Sequence, residues 1–205
     1  CCQSQEEKVD ISSYRRTIGS SYSDGYIQPF SDSPLDGENV SENFYLNVIN
    51  RAKEYVYLST PYLVIDYEMQ TALCLAAKNG IDVRIITPGI PDKKTVFMVT
   101  RSYYAPLIEA GVRIYEYTPG FIHAKNMVSD DKIAQVGTIN MDFRSFYFHF
   151  ECGVAFYRSS VIESIREDME RTMAESQEIT SQTVKEVPLF KRFARAFLKI
   201  FAPIM

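Results

Sequence analysis

Beginning at Asn39, the apolar residues Phe44, Leu46, Val48 and Ile49 recur at mainly helical spacing, which predicts a helix closing near Lys53. The aromatic and aliphatic run Tyr55-Val56-Tyr57-Leu58 then predicts a strand. The alternation repeats twice. A helix over about Glu68 to Lys78 is stopped by Asn79-Gly80 and followed by the strand Ile81-Asp82-Val83-Arg84-Ile85-Ile86. A helix over about Lys94 to Glu109 is stopped by Ala110-Gly111 and followed by a strand from Val112 to Tyr117. The two helix-glycine-strand passages lie 31 residues apart, the length of one strand-helix unit, and predict two crossovers of a layered α/β domain. After Gly120 the pattern changes to short strands at about 122–129, 132–137 and 150–157, with one more helix from about Val161 to Glu175. Consecutive short strands favour antiparallel pairing, so the expected sheet is mixed and flanked by helices.

Both ends depart from this pattern. Residues 1–25 are polar and turn-rich, with Ser12-Ser13 and Gly19-Ser20-Ser21, and read as a linker or the tail of an upstream module. The packed domain is expected over 26–180, opening with the extended piece Tyr26-Ile27-Gln28-Pro29-Phe30. The acidic loop from Ser31 to Gly37 has Pro34 where a calcium loop needs a ligand and no Glu at its last position, so it reads as a turn before a helix. Residues 181–205 read as a basic tail. Within it, Lys191, Arg192, Arg195 and Lys199 share one arc of a helical projection, with Phe190, Phe193, Phe197, Ile200, Phe201 and Ile204 opposite. A C-terminal amphipathic helix is expected there, either lying on an anionic bilayer or docking its apolar face on the domain.

With 205 residues, of which 46% are hydrophobic and 13% aromatic, the chain can fill one core of ordinary size. Its net charge of −4 divides into +4 over residues 187–205 and −8 elsewhere. No nucleic-acid partner is expected from that balance, and the charge of a phosphate-bearing substrate has to be met locally. No apolar run reaches the roughly 18 residues of a spanning helix, so the chain as given reads as soluble or peripheral. The four cysteines show no Cys-x-x-Cys spacing and read as reduced and structural.

Chemistry concentrates in one stretch. Of the two histidines, His149 has no such neighbours, whereas His123 is followed by Lys125, Asp130, Gly137-Thr138 and Asn140. On a strand, residues two apart share a face, so His123 and Lys125 are expected to present an imidazole and an ammonium to one phosphate. A tight Gly137-Thr138 turn returns the Asn140 amide alongside. Phosphoryl transfer asks mainly for positioned donors and a nucleophile, and a histidine can form a phosphoramidate.

The spacing His123-x-Lys125-x4-Asp130-x6-Gly137-Thr138-x-Asn140 is similar at every position to the HxK(x)4D(x)6G[ST]xN signature of the phospholipase D superfamily, the HKD enzymes. The passages Ser59-Thr60-Pro61-Tyr62, Ile85 to Gly89, Thr100 to Tyr104, Thr138 to Phe146, Phe150-Glu151 and Phe201 to Met205 further resemble the second half of the bacterial cardiolipin synthases. The resemblance runs over roughly residues 25–205. It implies a phospholipase D-like layered fold and a phosphatidyltransferase that moves a phosphatidyl group between two phosphatidylglycerol molecules, releasing glycerol. The implied intermediate is a phosphohistidine at His123, and neither a metal nor another cofactor is expected. Lys125 and Asn140 are implied to bind the phosphate, Thr138 to add a hydroxyl, and Glu151 to hold the far nitrogen of His123. Asp130 is implied to be turned away from the phosphate in a structural role. Read from the residues alone, Glu151 keeps the alternative of pairing with His149 on its own strand face.

The family sets two HKD motifs face to face across a pseudo-twofold axis, and here there is one, with no histidine before His123. Half an active site is therefore expected, completed by an N-terminal HKD half or by a second copy of the chain. The implied partners are phosphatidylglycerol and other anionic phospholipids, met by the membrane surface through 187–205. The implied location is the cell membrane, with the catalytic domain on its cytoplasmic face. Two other readings stay open: a homodimeric HKD phosphodiesterase or nuclease, opposed by the −8 outside the tail, and a catalytically silent lipid-binding module, opposed by the intact motif.

Overall fold

Strand β1 (Tyr26–Asp32) leads into helix α1 (Val40–Arg51) and strand β2 (Tyr55–Ser59). A two-residue strand, β3 (Leu63–Val64), is followed by α2 (Tyr67–Lys78), β4 (Asp82–Pro88), α3 (Lys94–Thr100), α4 (Tyr104–Glu109) and β5 (Arg113–Tyr117). The second half holds β6 (Asn126–Ser129), β7 (Ile133–Gly137), β8 (Met141–Asp142), α5 (Phe143–Tyr147), β9 (Glu151–Tyr157), α6 (Val161–Ala174), β10 (Ser176–Ile179) and α7 (Ser181–Lys185). The structure is a computed structural model and describes residues 24–35, 37–188, 190, 197–200 and 202. The linker expected over 1–25 lies almost wholly outside the described residues, as does most of the amphipathic helix expected over 187–205.

Both expected crossovers form, and glycine closes each helix. After α2, the Ile81 N–H donates to the Ala76 carbonyl (3.1 Å) and the Gly80 N–H to the Ala77 carbonyl (3.0 Å), with Gly80 at φ 88°. Gly111, at φ 104°, closes α4 in the same way, with the Val112 N–H donating to the Leu107 carbonyl at 3.0 Å. These 6→1 and 5→2 bonds satisfy helix-end carbonyls in a left-handed conformation that favours glycine. The single helix expected over 94–109 is instead two, α3 and α4. Pro106 has no N–H to continue the ladder and its ring would meet the carbonyl of residue 102, so the helix breaks just ahead of it.

The main sheet is mixed, in the order β1-β9-β7-β6-β2-β4-β5-β10, with β2, β4 and β5 parallel and the outer pairings antiparallel. The period of two along β2 divides the core. Val56 and Leu58 point into a large cluster with α1, α2, α4 and α5, while Tyr55 and Tyr57 point to the opposite face against α6 residues Ile162, Met169 and Met173. The architecture is therefore a helix-covered mixed sheet. The four-residue β10, not foreseen from the sequence, extends one edge beside β5 and buries Ile179. Within the described part of the tail, Leu198 packs against the large core and Ala202 is buried, while Phe190, Phe197 and Ile200 are exposed. Lys199 lies over the Tyr103 ring at 3.9 Å.

Candidate active site

The β6–β7 hairpin is the frame of the site. At its turn, the Lys132 N–H donates to the Ser129 carbonyl (3.0 Å), and Asp130 and Asp131 both take positive φ, 54° and 51°. That conformation matches the right-handed twist of the strands it joins, and Asp tolerates it; with Ser129 paired to Ile133, the connection is three residues long. The Asp130 carboxylate accepts the backbone N–H groups of Lys53 (2.8 Å), Glu54 (2.9 Å) and Tyr55 (3.0 Å). Burial opposes its charge, but these three donors outweigh it and hold the carboxyl below its usual range. Asp130 thus fastens the hairpin tip to the chain entering β2.

His123 and Lys125 lie at the other end, in extended chain just before β6. The strand expected over 122–129 begins only at Asn126. The rung from the Gly137 N–H to the Lys125 carbonyl (3.2 Å) is the last on that side, because the next N–H, of Thr138, turns to the Cys152 carbonyl of β9 at 2.9 Å. Gly137 permits this close approach. A Cβ there would stand 2.4 Å from the Cys152 carbonyl oxygen and 2.7 Å from the Gly153 Cα.

The Lys125 ammonium donates to Nδ1 of His123 at 2.9 Å and to the His123 carbonyl at 2.8 Å. The ammonium also stands 3.4 Å from Nε2, and having no acceptor it can donate only to whichever ring nitrogen is unprotonated. Burial and the Lys125 charge push the His123 pKa down, against a smaller upward pull from Asp92. The imidazole is therefore neutral, hence nucleophilic, at neutral pH. Burial also lowers the pKa of Lys125, with Glu151 and Asp142 acting to keep it charged.

Glu151 starts β9, is only 8% exposed, and is held on both oxygens. Thr138 Oγ1 donates to Oε2, and Ser145 Oγ donates to Oε1 at 2.8 Å. The same Ser145 hydroxyl accepts the backbone N–H of Asn140 at 3.1 Å, and the Ser145 N–H is capped by Asp142 at 2.8 Å. His149 Nδ1 stands 3.8 Å from Glu151 Oε1. No hydrogen bond joins His123 to Glu151 among the described residues; Lys125 lies electrostatically between them. The Asn140 side-chain oxygen is buried and has no hydrogen-bond partner among the described residues.

His123, Lys125, Thr138, Asn140 and Glu151 thus gather at the open end of the hairpin, and Asp130 does not. Sequence reasoning missed Ser145, whose only signal was its place in the passage following the motif. It also missed a pair beside the nucleophile. The Tyr62 ring meets the His123 ring edge-on at 6.3 Å, and the Tyr62 hydroxyl donates to Asp92. Burial and Asp92 raise the Tyr62 pKa to about 12, so the phenol keeps its proton. A neutral imidazole, an ammonium and an amide brought to one end of the hairpin can bind a phosphodiester and attack its phosphorus.

A family model for the cardiolipin synthase, phospholipase D-like domain matches residues 45–173. The chain belongs to this family. A cardiolipin synthase of Alkalihalophilus pseudofirmus is 36% identical over 182 residues, covering 89% of this chain and 36% of that protein. An uncharacterized protein of Streptococcus mutans is 46% identical over 181 residues, covering 88% of this chain and 39% of that one. The chain therefore spans less than two fifths of the length of these relatives. Among solved structures, a phosphatidylserine synthase of Haemophilus influenzae aligns with a TM-score of 0.68 at 15% identity, over 87% of this chain and 48% of that one. The phospholipase D family member Nuc of Salmonella typhimurium aligns with a TM-score of 0.64 at 18% identity, over 76% of this chain and 99% of that one. The fold is thus phospholipase D-like, and the open end of the β6–β7 hairpin is the candidate active site of a cardiolipin synthase-family domain. Among the described residues, no helix is long and apolar enough to cross a membrane.

Proposed function

We propose that the chain is the catalytic half of a cardiolipin synthase carrying the second HKD motif, and that it transfers a phosphatidyl group through His123. In this reading a neutral ring nitrogen of His123 attacks the phosphorus of phosphatidylglycerol; the P–N bond forms, the P–O bond to the glycerol headgroup breaks, and glycerol departs with a proton given by the facing HKD half. The hydroxyl of a second phosphatidylglycerol then forms the new P–O bond, its proton passes to that half, and His123 is released. Lys125 and the Asn140 amide donate to the non-bridging oxygens, where charge accumulates. Thr138 and Ser145 hold Glu151 so that it can receive the far nitrogen of His123 once a phosphate draws Lys125 away from the imidazole.

The observation that carries the reading is the placement of a pKa-depressed His123 against Lys125 at the hairpin end that also presents Asn140. Because only one such histidine is present, the facing half is an N-terminal HKD half or a second copy of the chain. Phosphatidylglycerol and other anionic lipids are the proposed partners, met at the cytoplasmic face of the cell membrane. Exposed Phe190, Phe197 and Ile200 support contact between the 187–205 segment and that surface. The test is His123→Ala in the full-length protein, assayed on phosphatidylglycerol vesicles. Cardiolipin formation should fall by at least about a thousandfold, and the wild type trapped in turnover should carry a phosphatidyl adduct on His123. Retained synthesis in the variant overturns the assignment.

A further inference from the structure

The Tyr62–Asp92 pair stands beside the nucleophile without serving the phosphate. Tyr62 comes from the β2–β3 connection and Asp92 from the loop between β4 and α3, so two separate crossovers deliver them to the rim where His123 sits. Asp92 Oδ2 accepts the Tyr62 hydroxyl, and Oδ1 accepts the Lys93 N–H at 2.6 Å. A carboxylate offers about four lone-pair positions, so each oxygen keeps an accepting site, and Asp92 is exposed to a ligand. The Tyr62 oxygen can also accept. Asp92 is near enough to His123 to pull its pKa upward.

A carboxylate this close to the reacting centre would repel a phosphodiester. It suits a ligand that is uncharged at that point and rich in hydrogen-bond donors, which describes an alcohol and above all a polyol. Lys93 and Lys94, the next two residues, are both exposed, with the Lys93 ammonium 5.8 Å from the Tyr62 ring centroid. Hydroxyl acceptors flanked by two cations match a ligand in which a polyol is joined to a phosphodiester.

We propose that Tyr62 and Asp92 form the acceptor subsite, holding the non-reacting hydroxyl of a glycerol-type headgroup beside His123, while Lys93 and Lys94 meet the phosphodiester of that second lipid. This rests on the transfer reading above and supplies what selects the acceptor. A site built to bind a substrate hydroxyl discriminates strongly against an analogue that lacks it.

The test uses the full-length protein on phosphatidylglycerol vesicles with equal concentrations of 1,2-propanediol and 1-propanol, which differ by one hydroxyl. Mass spectrometry of the two phosphatidyl-alcohol products gives the preference as a ratio. The wild type should favour the diol, Asp92→Ala should lower the ratio by about tenfold or more, and Tyr62→Phe by a smaller factor. Both side chains lie at the rim, so neither change removes core packing. A ratio within twofold of wild type in both variants, including a parallel loss of both products, overturns the subsite alone. A wild type that yields neither cardiolipin nor either alcohol product overturns the transfer reading and this subsite with it.

Discussion

The two ends of the β6–β7 hairpin carry residues of one sequence motif and treat them in opposite ways. At the tip, the Asp130 carboxylate is committed to three backbone N–H groups, two on Oδ1 and one on Oδ2, that tie it to the chain entering β2. At the open end, the Lys125 ammonium donates to His123, a contact that a bound ligand can replace, and His123 is exposed. A group whose bonds are already made stabilises the frame; one whose bonds can be exchanged is available for chemistry. The regular spacing of the motif hides this division, because Lys125 and Asp130, five residues apart, stand at the two ends of the single strand β6.

Lys125→Ala gives the sharpest contrast. Removing the ammonium should lower kcat/KM for phosphatidyl transfer by about a thousandfold, since the charge-assisted donor acts on the developing phosphorane oxygens. Its thermal midpoint should stay within a degree or two of wild type, because a partly exposed lysine holds little of the fold. Asp130→Ala should do the reverse. Three N–H groups at the start of β2 lose their acceptor, which should cost about 2–4 kcal/mol in urea unfolding, while turnover per folded molecule at low temperature stays within a few fold. If Asp130→Ala instead abolished turnover without loss of stability, the division between the two ends would fail.

How much of this was legible in the sequence follows the same line. The crossovers were readable because helix periodicity, a closing glycine and a buried strand recur together at Asn79-Gly80-Ile81 and Ala110-Gly111-Val112. The phosphate-facing set was readable because its spacing is rigid and its residue types are few. The Pro106 break was missed because the apolar pattern runs through it, although the missing N–H was there to be read. His123 and Lys125 were expected on a strand, but strand pairing ends where β7 turns to β9, a long-range event that no local pattern reports. Ser145, Tyr62 and Asp92 were missed as site residues because each gains its role only from a partner distant in sequence. The role of Glu151 toward His123 remains a proposal tied to the loaded state, and its present partners are Thr138, Ser145 and, at 3.8 Å, His149.

Behind the site, a third carboxylate group tests the contrast more gently. The Tyr147 hydroxyl, on the helix that also carries Ser145, lies 2.8 Å from Glu42 Oε1 and 2.7 Å from Asp66 Oδ2. One hydroxyl has one proton, so it can donate to only one carboxylate and must accept from the other, which requires a shared proton in the cluster. Burial, then the Asp66 carboxylate, raises the Glu42 pKa to about 7, while hydrogen bonds from Glu42, the Met69 N–H and Tyr147 overcome burial to lower that of Asp66. Between about 4.5 and 7 the native protein therefore binds a proton at Glu42 that the unfolded chain has lost. That contribution to stability is complete below about 4.5 and disappears as pH rises through 7. The lowered Asp66 acts only below its ordinary carboxylate range, and the lowered His123 pKa works in the opposite sense just below 6.5, so the difference between two proteins isolates Glu42. Glu42→Gln replaces the protonated acid with an amide that still bonds Tyr147 and Asp66. Urea unfolding from pH 4.5 to 8 should show the variant equal to wild type at the acid end and about 1–2 kcal/mol more stable at pH 8. Parallel curves for the two proteins would mean that Glu42 is ionised throughout and that Tyr147 leans on Asp66 alone.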